Sequence, residues 1–583
     1  MKVFIDLMWF FKQEKKSYLL GICLLLMVSL LQLLPPKIIG LIVDHIKEQT
    51  LTRTILFQWI ALIMIVGLLM YLLRYVWRNL IFGSAVKLSK LLRNRLFDHF
   101  TKMSQSFYQR RRTGDLMAHA TNDLQAIQQT AGMGVLTLVD SLSTGCFVIL
   151  TMATTISWKL TIISLFPMPI MAILTSWYGK RLHKHFHKAQ EAFSTLNDKT
   201  QESIMGIKVL KTFGQEKEDI IDFQRHSEDV VKKNIAVAKI DSLFDPTISI
   251  IVAASLFLSI SFGAKFVLEG ELTIGELISF NTYLGLLIWP MLAFGWLFNI
   301  MERGRASLDR VTTLLEENED IKDTEDALDQ RPIGPIEFNI KSCSLSDDSV
   351  KVLRDIQFSI HKGDTLGIVG KTGSGKTTLL KLFIREIDEY NGNINIGGLS
   401  IKQYKINKLR EAIGYVPQDH FLFSATIAEN IAFANPLATK EEIVSAAKIA
   451  NIHDDILSFP EQYETVVGER GVSLSGGQKQ RISIARALLL NPEILILDDS
   501  LSAVDAKTEE AILSSLKKNR YGKTTLITSH RLSAIQHANL IIVLEKGRIL
   551  QSGTHEELMQ EEGWYQEMYH HQQLEDLVEN VGD

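Results

Sequence analysis

The chain has only three cysteines among 583 residues, Cys23, Cys146 and Cys343. They lie far apart, so they offer neither a disulfide framework nor the spacing of a metal site, and each reads as a buried, inert thiol. Charge of one sign is also missing. The 62 Lys and Arg nearly balance the 66 Asp and Glu, which leaves no electrostatic footprint for nucleic acid. The amino terminus lacks a short apolar core with a small-residue cleavage site, so no cleaved leader is expected. Instead Trp9, Phe10 and Phe11 mix with Lys12, Lys15 and Lys16, and residues 1–17 are expected to form an amphipathic helix on the inner membrane surface.

What is abundant is apolar sequence, and it is unevenly spread. Nearly all long apolar runs precede Met301, whereas the chain after Arg305 reads as a soluble α/β domain. A membrane span needs roughly 20 apolar residues. Six segments qualify, at 18–43, 55–80, 134–156, 160–177, 243–266 and 274–300. Long polar segments at 82–133 and 179–241 alternate with short gaps, so both lie on one side. Lys12, Lys15 and Lys16 before the first span, and Lys87, Lys90, Arg93 and Arg95 after the second, put that side and both termini in the cytoplasm.

The polar segments carry helical periodicity with charged faces, and each is long enough for two helical extensions joined by a turn. They are either plain loops or rigid levers. Asp140 and Arg74 stand at membrane depth, where charge is expensive; Arg74, near a span end, reads as snorkelling. Pro35–Pro36, Pro246 and Pro290 are expected to kink their helices. Trp289, Phe294 and Trp296 read as packing or interface anchors.

An acidic stretch ending in Arg-Pro-Ile-Gly-Pro makes residues 308–335 a linker, and strand signals begin near Ile336. The decisive motif is GKTGSGKT, Gly370–Thr377, set between the apolar run Thr365–Val369 and the helical Thr378–Phe383. Strand, glycine loop and helix in that order make a phosphate cradle. Gly370, Lys371, Thr372, Gly373, Ser374 and Gly375 turn backbone N–H groups inward, and the helix start at Lys376, Thr377 and Thr378 adds favourable partial charge. Lys376 is expected to neutralise phosphate charge and the Thr377 hydroxyl to ligate Mg2+. A second apolar strand, Ile494–Leu497, ends in Asp498, whose charge suits the same Mg2+. Between the two lies LSGGQ, with Ser475, Gly476, Gly477 and Gln478 at another helix start.

In this order these motifs resemble an ABC ATPase. With six spans ahead of them, nearly the whole chain resembles a half-size ABC exporter of the multidrug and lipid type. The resemblance implies a fold in two parts: an α-helical membrane domain (18–307) of six spans with long cytoplasmic extensions, fused to an α/β P-loop ATPase domain (336–572) and a tail (573–583). It implies ATP and Mg2+ as ligands and a cytoplasmic-membrane location. Gln418 resembles the glutamine that touches Mg2+ and the attacking water, and His530 resembles the histidine on the γ phosphate. Ser502, Ala503, Val504 and Asp505 resemble the dimer-contact loop, and TVVGERG, Thr465–Gly471, the loop before the signature. TGDLMAHATND, Thr113–Asp123, and GIKVLKTFGQE, Gly206–Glu216, resemble the segments around two coupling helices, which favours levers. In this family each ATP lies between one chain's phosphate loop and the other chain's LSGGQ, so the resemblance implies a dimer.

Two positions depart from the family pattern. Asp499 stands where most active members carry a catalytic Glu, and its carboxylate reaches about 1.5 Å less far. Misplacement by about 1 Å can cost 10²-fold, so hydrolysis at this site is expected to be poor. Leu345 stands where an aromatic ring usually stacks on adenine. Both departures fall on one composite site, a pattern resembling asymmetric heterodimeric exporters, above all the BmrC-type half of the Bacillus multidrug exporter. The expectation is therefore a different partner chain carrying the Glu, with membrane lipid and an amphipathic solute as further partners and no nucleic acid. The alternatives are a homodimeric lipid or drug exporter with slow hydrolysis, and a regulatory ATP-binding subunit.

Overall fold

The computed structural model describes residues 2–344, 351–468 and 474–581, so Leu345 and the Glu469–Gly471 end of TVVGERG lie outside the described residues, as does the Phe294 side chain. The chain divides into two compact units, Met1–Thr101 with Thr113–Glu317, and Lys102–Arg112 with Asn318–Asp583.

The first unit is helical. Two short helices, Lys2–Asp6 and Met8–Gln13, bury Val3, Leu7 and Phe10 and leave Trp9 half out, with the Arg95 guanidinium 4.7 Å from its ring. Helices Lys15–Leu31 and Leu34–Lys47 are offset by a turn at Gln32–Leu33. Pro35 and Pro36 occupy the first turn of the second, where a missing N–H costs least. Helix Arg53–Lys102 runs for 50 residues without a break. At 1.5 Å per residue it is about 75 Å long, more than twice a hydrocarbon core of about 30 Å. Its polar end is therefore helix rather than loop. The second polar segment is helical as well: Met168–Met205 and Glu216–Asp241 flank the short helix Ile207–Phe213, which stops at Gly214 with φ +63°.

Among the described residues, five helical tracts are long and apolar enough to cross a membrane: Lys15–Lys47, Arg53–Lys102, Thr113–Leu165, Glu216–Leu268 and Ile274–Leu315. Six spans were expected, and the fourth, 160–177, is the one that does not appear as such. It is cut at Phe166–Pro167, between helices Trp158–Leu165 and Met168–Met205. Pro167 supplies no N–H to continue the first helix, and the second soon turns polar, at Lys180 and Arg181. Cys23 and Cys146 are exposed on the protein surface, not buried as their apolar surroundings suggested; only Cys343 is buried.

Helices Leu34–Lys47 and Ile274–Leu286 approach through small residues. A Cβ on Gly275 would lie 2.0 Å from the Gly40 carbonyl oxygen, and one on Gly40 would lie 1.9 Å from Ser279 Oγ. Asp44 fastens the same contact, accepting from Gly275 N at 2.8 Å and from Thr273 Oγ1 at 2.7 Å. In the TGDLMAHATND segment, buried Asp123 accepts from Ser307 Oγ at 2.8 Å and pairs with Arg310 on helix Ile288–Leu315.

The second unit holds two sheets. β1 (Ile336–Ser344), β2 (Lys351–Ile360), β4 (Tyr390–Ile396) and β5 (Leu399–Ser400) form an antiparallel sheet in the order β2-β1-β4-β5. On β1 the buried Ile336, Phe338 and Ile340 alternate with exposed residues. β3 (Thr365–Val369), β6 (Ile413–Val416), β7 (Ile494–Asp498), β8 (Thr524–Thr528), β9 (Leu540–Glu545) and β10 (Arg548–Gly553) form the second sheet, in the order β10-β9-β3-β8-β7-β6. It is parallel from β9 to β6. β7 and β8 are buried throughout, which is why they read as unbroken apolar or Thr-rich runs. Helix Lys376–Phe383 buries Leu379, Leu380, Leu382 and Phe383 in the core shared by both sheets. Residues 102–112 belong to this unit: Lys381 Nζ donates to Gln105 Oε1 at 2.9 Å and Ser106 Oγ to Asp320 Oδ2 at 2.8 Å, holding helix Gln105–Arg110.

Candidate functional site

In open parallel sheets, ligands bind beyond the carboxyl ends of the strands. β3, β8, β7 and β6 are neighbours in that order, and the predicted phosphate and metal residues follow their ends. The glycine loop leaves β3 directly. Gly370 has φ +148°, and a Cβ there would stand 2.1 Å from the Leu544 carbonyl oxygen, so only glycine fits. Gly375, at φ +104°, opens helix Lys376–Phe383. Lys371, Thr372 and Gly373 are exposed, Thr377 and Thr378 half-buried. Ser374 is buried, and its Oγ has no hydrogen-bond partner among the described residues. Such an unmet hydroxyl costs about 1–3 kcal/mol, which an incoming phosphate oxygen would relieve.

Lys376 Nζ folds back on the loop, donating to the carbonyls of Gly370 at 2.8 Å and Lys371 at 3.4 Å. Burial holds its ammonium below the ordinary lysine range, against the opposing pull of Asp499 and Asp498. It is a buried cation whose hydrogen bonds among the described residues go to carbonyls alone, ready for an anion.

Thr377 Oγ1 donates to Asp498 Oδ1 at 3.2 Å. Asp498, at the end of β7, also accepts from Thr528 Oγ1 at 2.8 Å and from Tyr415 OH at 3.2 Å. A hydroxyl and a carboxylate are hard oxygen donors, and Mg2+ takes few protein ligands because it keeps several waters. These residues therefore fit Mg2+ with ATP: Thr377 and Asp498 would hold the ion, which supplies charge neutralisation at the phosphates.

Asp499 is half-buried, with φ +47°. Burial raises its carboxyl above the ordinary range, against the charges of His530 and Lys376. Gln418 and His530 are both exposed, two residues beyond the ends of β6 and β8. Sheet order thus brings the glycine loop, Gln418, Asp498, Asp499 and His530 to one edge.

The signature lies elsewhere in the unit. Ser475 caps helix Gly476–Leu489, accepting from Gln478 N at 3.2 Å while Gln478 Oε1 accepts from Ser475 N at 3.1 Å. The Ser475 proton remains to donate outward, and Ser475 and Gly476 are exposed. Among the described residues, no hydrogen bond joins Ser475 to its own chain's glycine loop. Asp505 caps helix Ala506–Asn519, accepting from Thr508 N at 2.9 Å.

Several site residues escape sequence reading. Asp455 accepts from Arg481 Nη1 at 2.8 Å and Gln478 Nε2 at 3.2 Å, anchoring the signature helix. Buried Gln480 accepts from Ala503 N at 3.1 Å, joining that helix to the Ser502–Asp505 loop. Tyr415 and Thr528 hold Asp498. No local pattern marks them; strand order brings them in.

Residues 18–291 match the ABC transporter transmembrane region, and residues 353–502 match the ABC transporter family. The chain is 48% identical to the probable multidrug resistance ABC transporter ATP-binding/permease protein YheI of Bacillus subtilis, over 97% of both chains. It is 47% identical to the multidrug resistance-like ATP-binding protein MdlA of Escherichia coli, over 100% of this chain and 98% of that one. A solved bacterial Atm1-family ABC exporter with ATP bound superposes with a TM-score of 0.81 at 26% identity, covering 96% of this chain and 98% of that one.

These full-length likenesses to MdlA and Atm1-family chains overturn the expected heterodimer, with its one degenerate site and a different partner chain bearing the Glu, and back the homodimeric alternative. The physical reason agrees. One chain carries both the glycine loop with its Asp498 and the capped LSGGQ, so no part of a composite site has to come from a different chain. The narrower BmrC-type likeness is left without support. By its matches over the whole chain, and by an ATP and Mg2+ site fused to a multi-pass domain of the cytoplasmic membrane, the chain belongs to the ABC transporters, as a half-transporter closely related to the multidrug ABC exporters of Bacillus and Escherichia coli.

Proposed function

We propose that two copies of this chain assemble into an exporter of amphipathic solutes, drugs or lipids, with two equivalent, slow ATP sites. The observation that carries the reading is the single glycine loop and single LSGGQ per chain, each formed, with no hydrogen bond between them among the described residues. In such a dimer Lys376 and the loop Gly370–Thr378 bind the phosphates, and Ser475–Gln478 of the second copy closes over them. Gln418 and Asp499 position water, His530 contacts the terminal phosphate, and Asp505 lines the seam. Asp499 is one methylene shorter than Glu, which is the basis for slow turnover.

The proposed division is an interfacial helix at 1–17, a membrane domain at 18–307 with six spans, a linker at 308–335, an ATPase domain at 336–572 and a tail at 573–583. The sixth span is the proline-interrupted stretch 160–177, of which residues 166–177 fall outside the five apolar tracts. The helical extensions serve as levers. An apolar membrane domain and relatives named for multidrug resistance support an amphipathic cargo.

The test is reconstitution of this chain alone in vesicles with a fluorescent amphipathic dye. Uptake into inside-out vesicles that requires ATP and Mg2+ is expected. Dye movement indifferent to ATP points to a channel, and no movement with intact ATP binding points to a regulatory subunit; either outcome defeats the proposal.

A further inference from the structure

We propose that Thr528 is a positioning residue for ATP hydrolysis, setting the direction in which Asp499 presents its carboxylate. The inference rests on the reading that this chain turns over ATP. Parallel register puts Thr528 beside Asp498, the last pair between β7 and β8. Thr528 is 1% exposed, and its hydroxyl both donates and accepts. It donates to Asp498 Oδ1 at 2.8 Å and accepts from Asp499 N–H at 2.8 Å.

One hydroxyl therefore ties the carboxylate of the metal-holding residue to the backbone of the next. That backbone is in an unusual state. Asp499 sits at φ +47°, a region that disfavours residues with a Cβ and persists only where surroundings enforce it. The carbonyl of Asp499 is gripped as well, accepting from Ser502 Oγ at 2.9 Å. With its backbone held at both the N–H and the carbonyl, the short Asp499 side chain has little freedom in where it reaches. A short carboxylate tolerates less error than a long one, because it cannot extend to recover lost distance.

Thr528→Val keeps the shape and removes the hydroxyl. The fold should survive, since Asp499 N–H also bonds the Thr528 carbonyl at 3.1 Å, and Thr377 and Tyr415 still hold Asp498. Thr528→Ser keeps the hydroxyl and loses a methyl.

The experiment measures kcat and KM for ATP, fluorescent-ATP affinity with and without Mg2+, melting temperature, and amide hydrogen exchange of the peptide spanning Asp499. It does so in the full chain and in its Thr528→Val and Thr528→Ser variants. The expected result for Thr528→Val is a fall in kcat of about tenfold or more, with KM, nucleotide affinity and melting temperature nearly unchanged. Faster exchange at the Asp499 amide is expected with it, and Thr528→Ser should restore both. Unchanged kcat and exchange in Thr528→Val overturn the inference. So does a loss in which KM and melting temperature move with kcat, or a failure of Ser to rescue. The two proposals fail differently: an unsubstituted chain without turnover defeats the proposed function, whereas exchange at Asp499 indifferent to Thr528→Val defeats this inference alone.

Discussion

Asp499 feels the charges of His530 and Lys376, and its backbone is held at both N–H and carbonyl, so the proposed slow turnover rests on reach rather than placement. Asp499→Glu restores about 1.5 Å of side chain from the same Cα. We expect this variant, purified without any other subunit, to hydrolyse ATP about tenfold faster or more, read by phosphate release. Unchanged turnover would falsify the view that reach limits the site.

A second residue-scale prediction concerns Asp455. Burial opposes its charge, yet Arg481 and Gln478 hold its carboxyl below the usual aspartate range. A lowered value means that the pair stabilises the fold above the unfolded aspartate value, and that this stability is lost as pH falls through the folded one. Asp455→Asn should therefore lower thermal stability at neutral pH by about 1–2 kcal/mol. The gap from the unsubstituted chain should close as the pH falls below the aspartate range. A gap that stays constant across the titration would contradict the pairing. The glycine loop, Asp498 and LSGGQ are legible in the sequence because each is a contiguous string whose chemistry is local. Asp455, Tyr415 and Thr528 are not, because each becomes a site residue only through a partner 26, 83 or 30 positions away.

At the scale of elements, sequence periodicity separates helix from strand but not span from break. The 160–177 segment is apolar enough to read as one span, and only Pro167 hints at the interruption that the structure places there. The polar segments show the reverse: their charge obscures the fact that Arg53–Lys102 continues unbroken out of the apolar region. Close packing is equally hidden, since Gly40 and Gly275 are 235 positions apart and meet only in the folded unit. We expect Gly275→Leu to push helices Leu34–Lys47 and Ile274–Leu286 apart, break the Asp44 cap and lower the melting temperature of the detergent-purified chain. Gly67→Leu, at an open site with no neighbour within 4 Å of an added Cβ, should leave it unchanged. Equal behaviour of the two variants would contradict the tight contact.

At the scale of the whole molecule, each chain carries one anion cradle and one capped signature helix, with no hydrogen bond between the two among the described residues. In the first unit helix Arg53–Lys102 runs on well past its apolar part, and in the second Lys381 and Asp320 hold helix Gln105–Arg110. The most direct test is native mass spectrometry of Asp499→Asn, expected to block hydrolysis, purified alone and mixed with ATP and Mg2+. The expected species is a dimer of identical chains carrying two ATP. A monomer with one ATP, or a dimer that forms only when a different half-transporter is added, would contradict the proposed assembly.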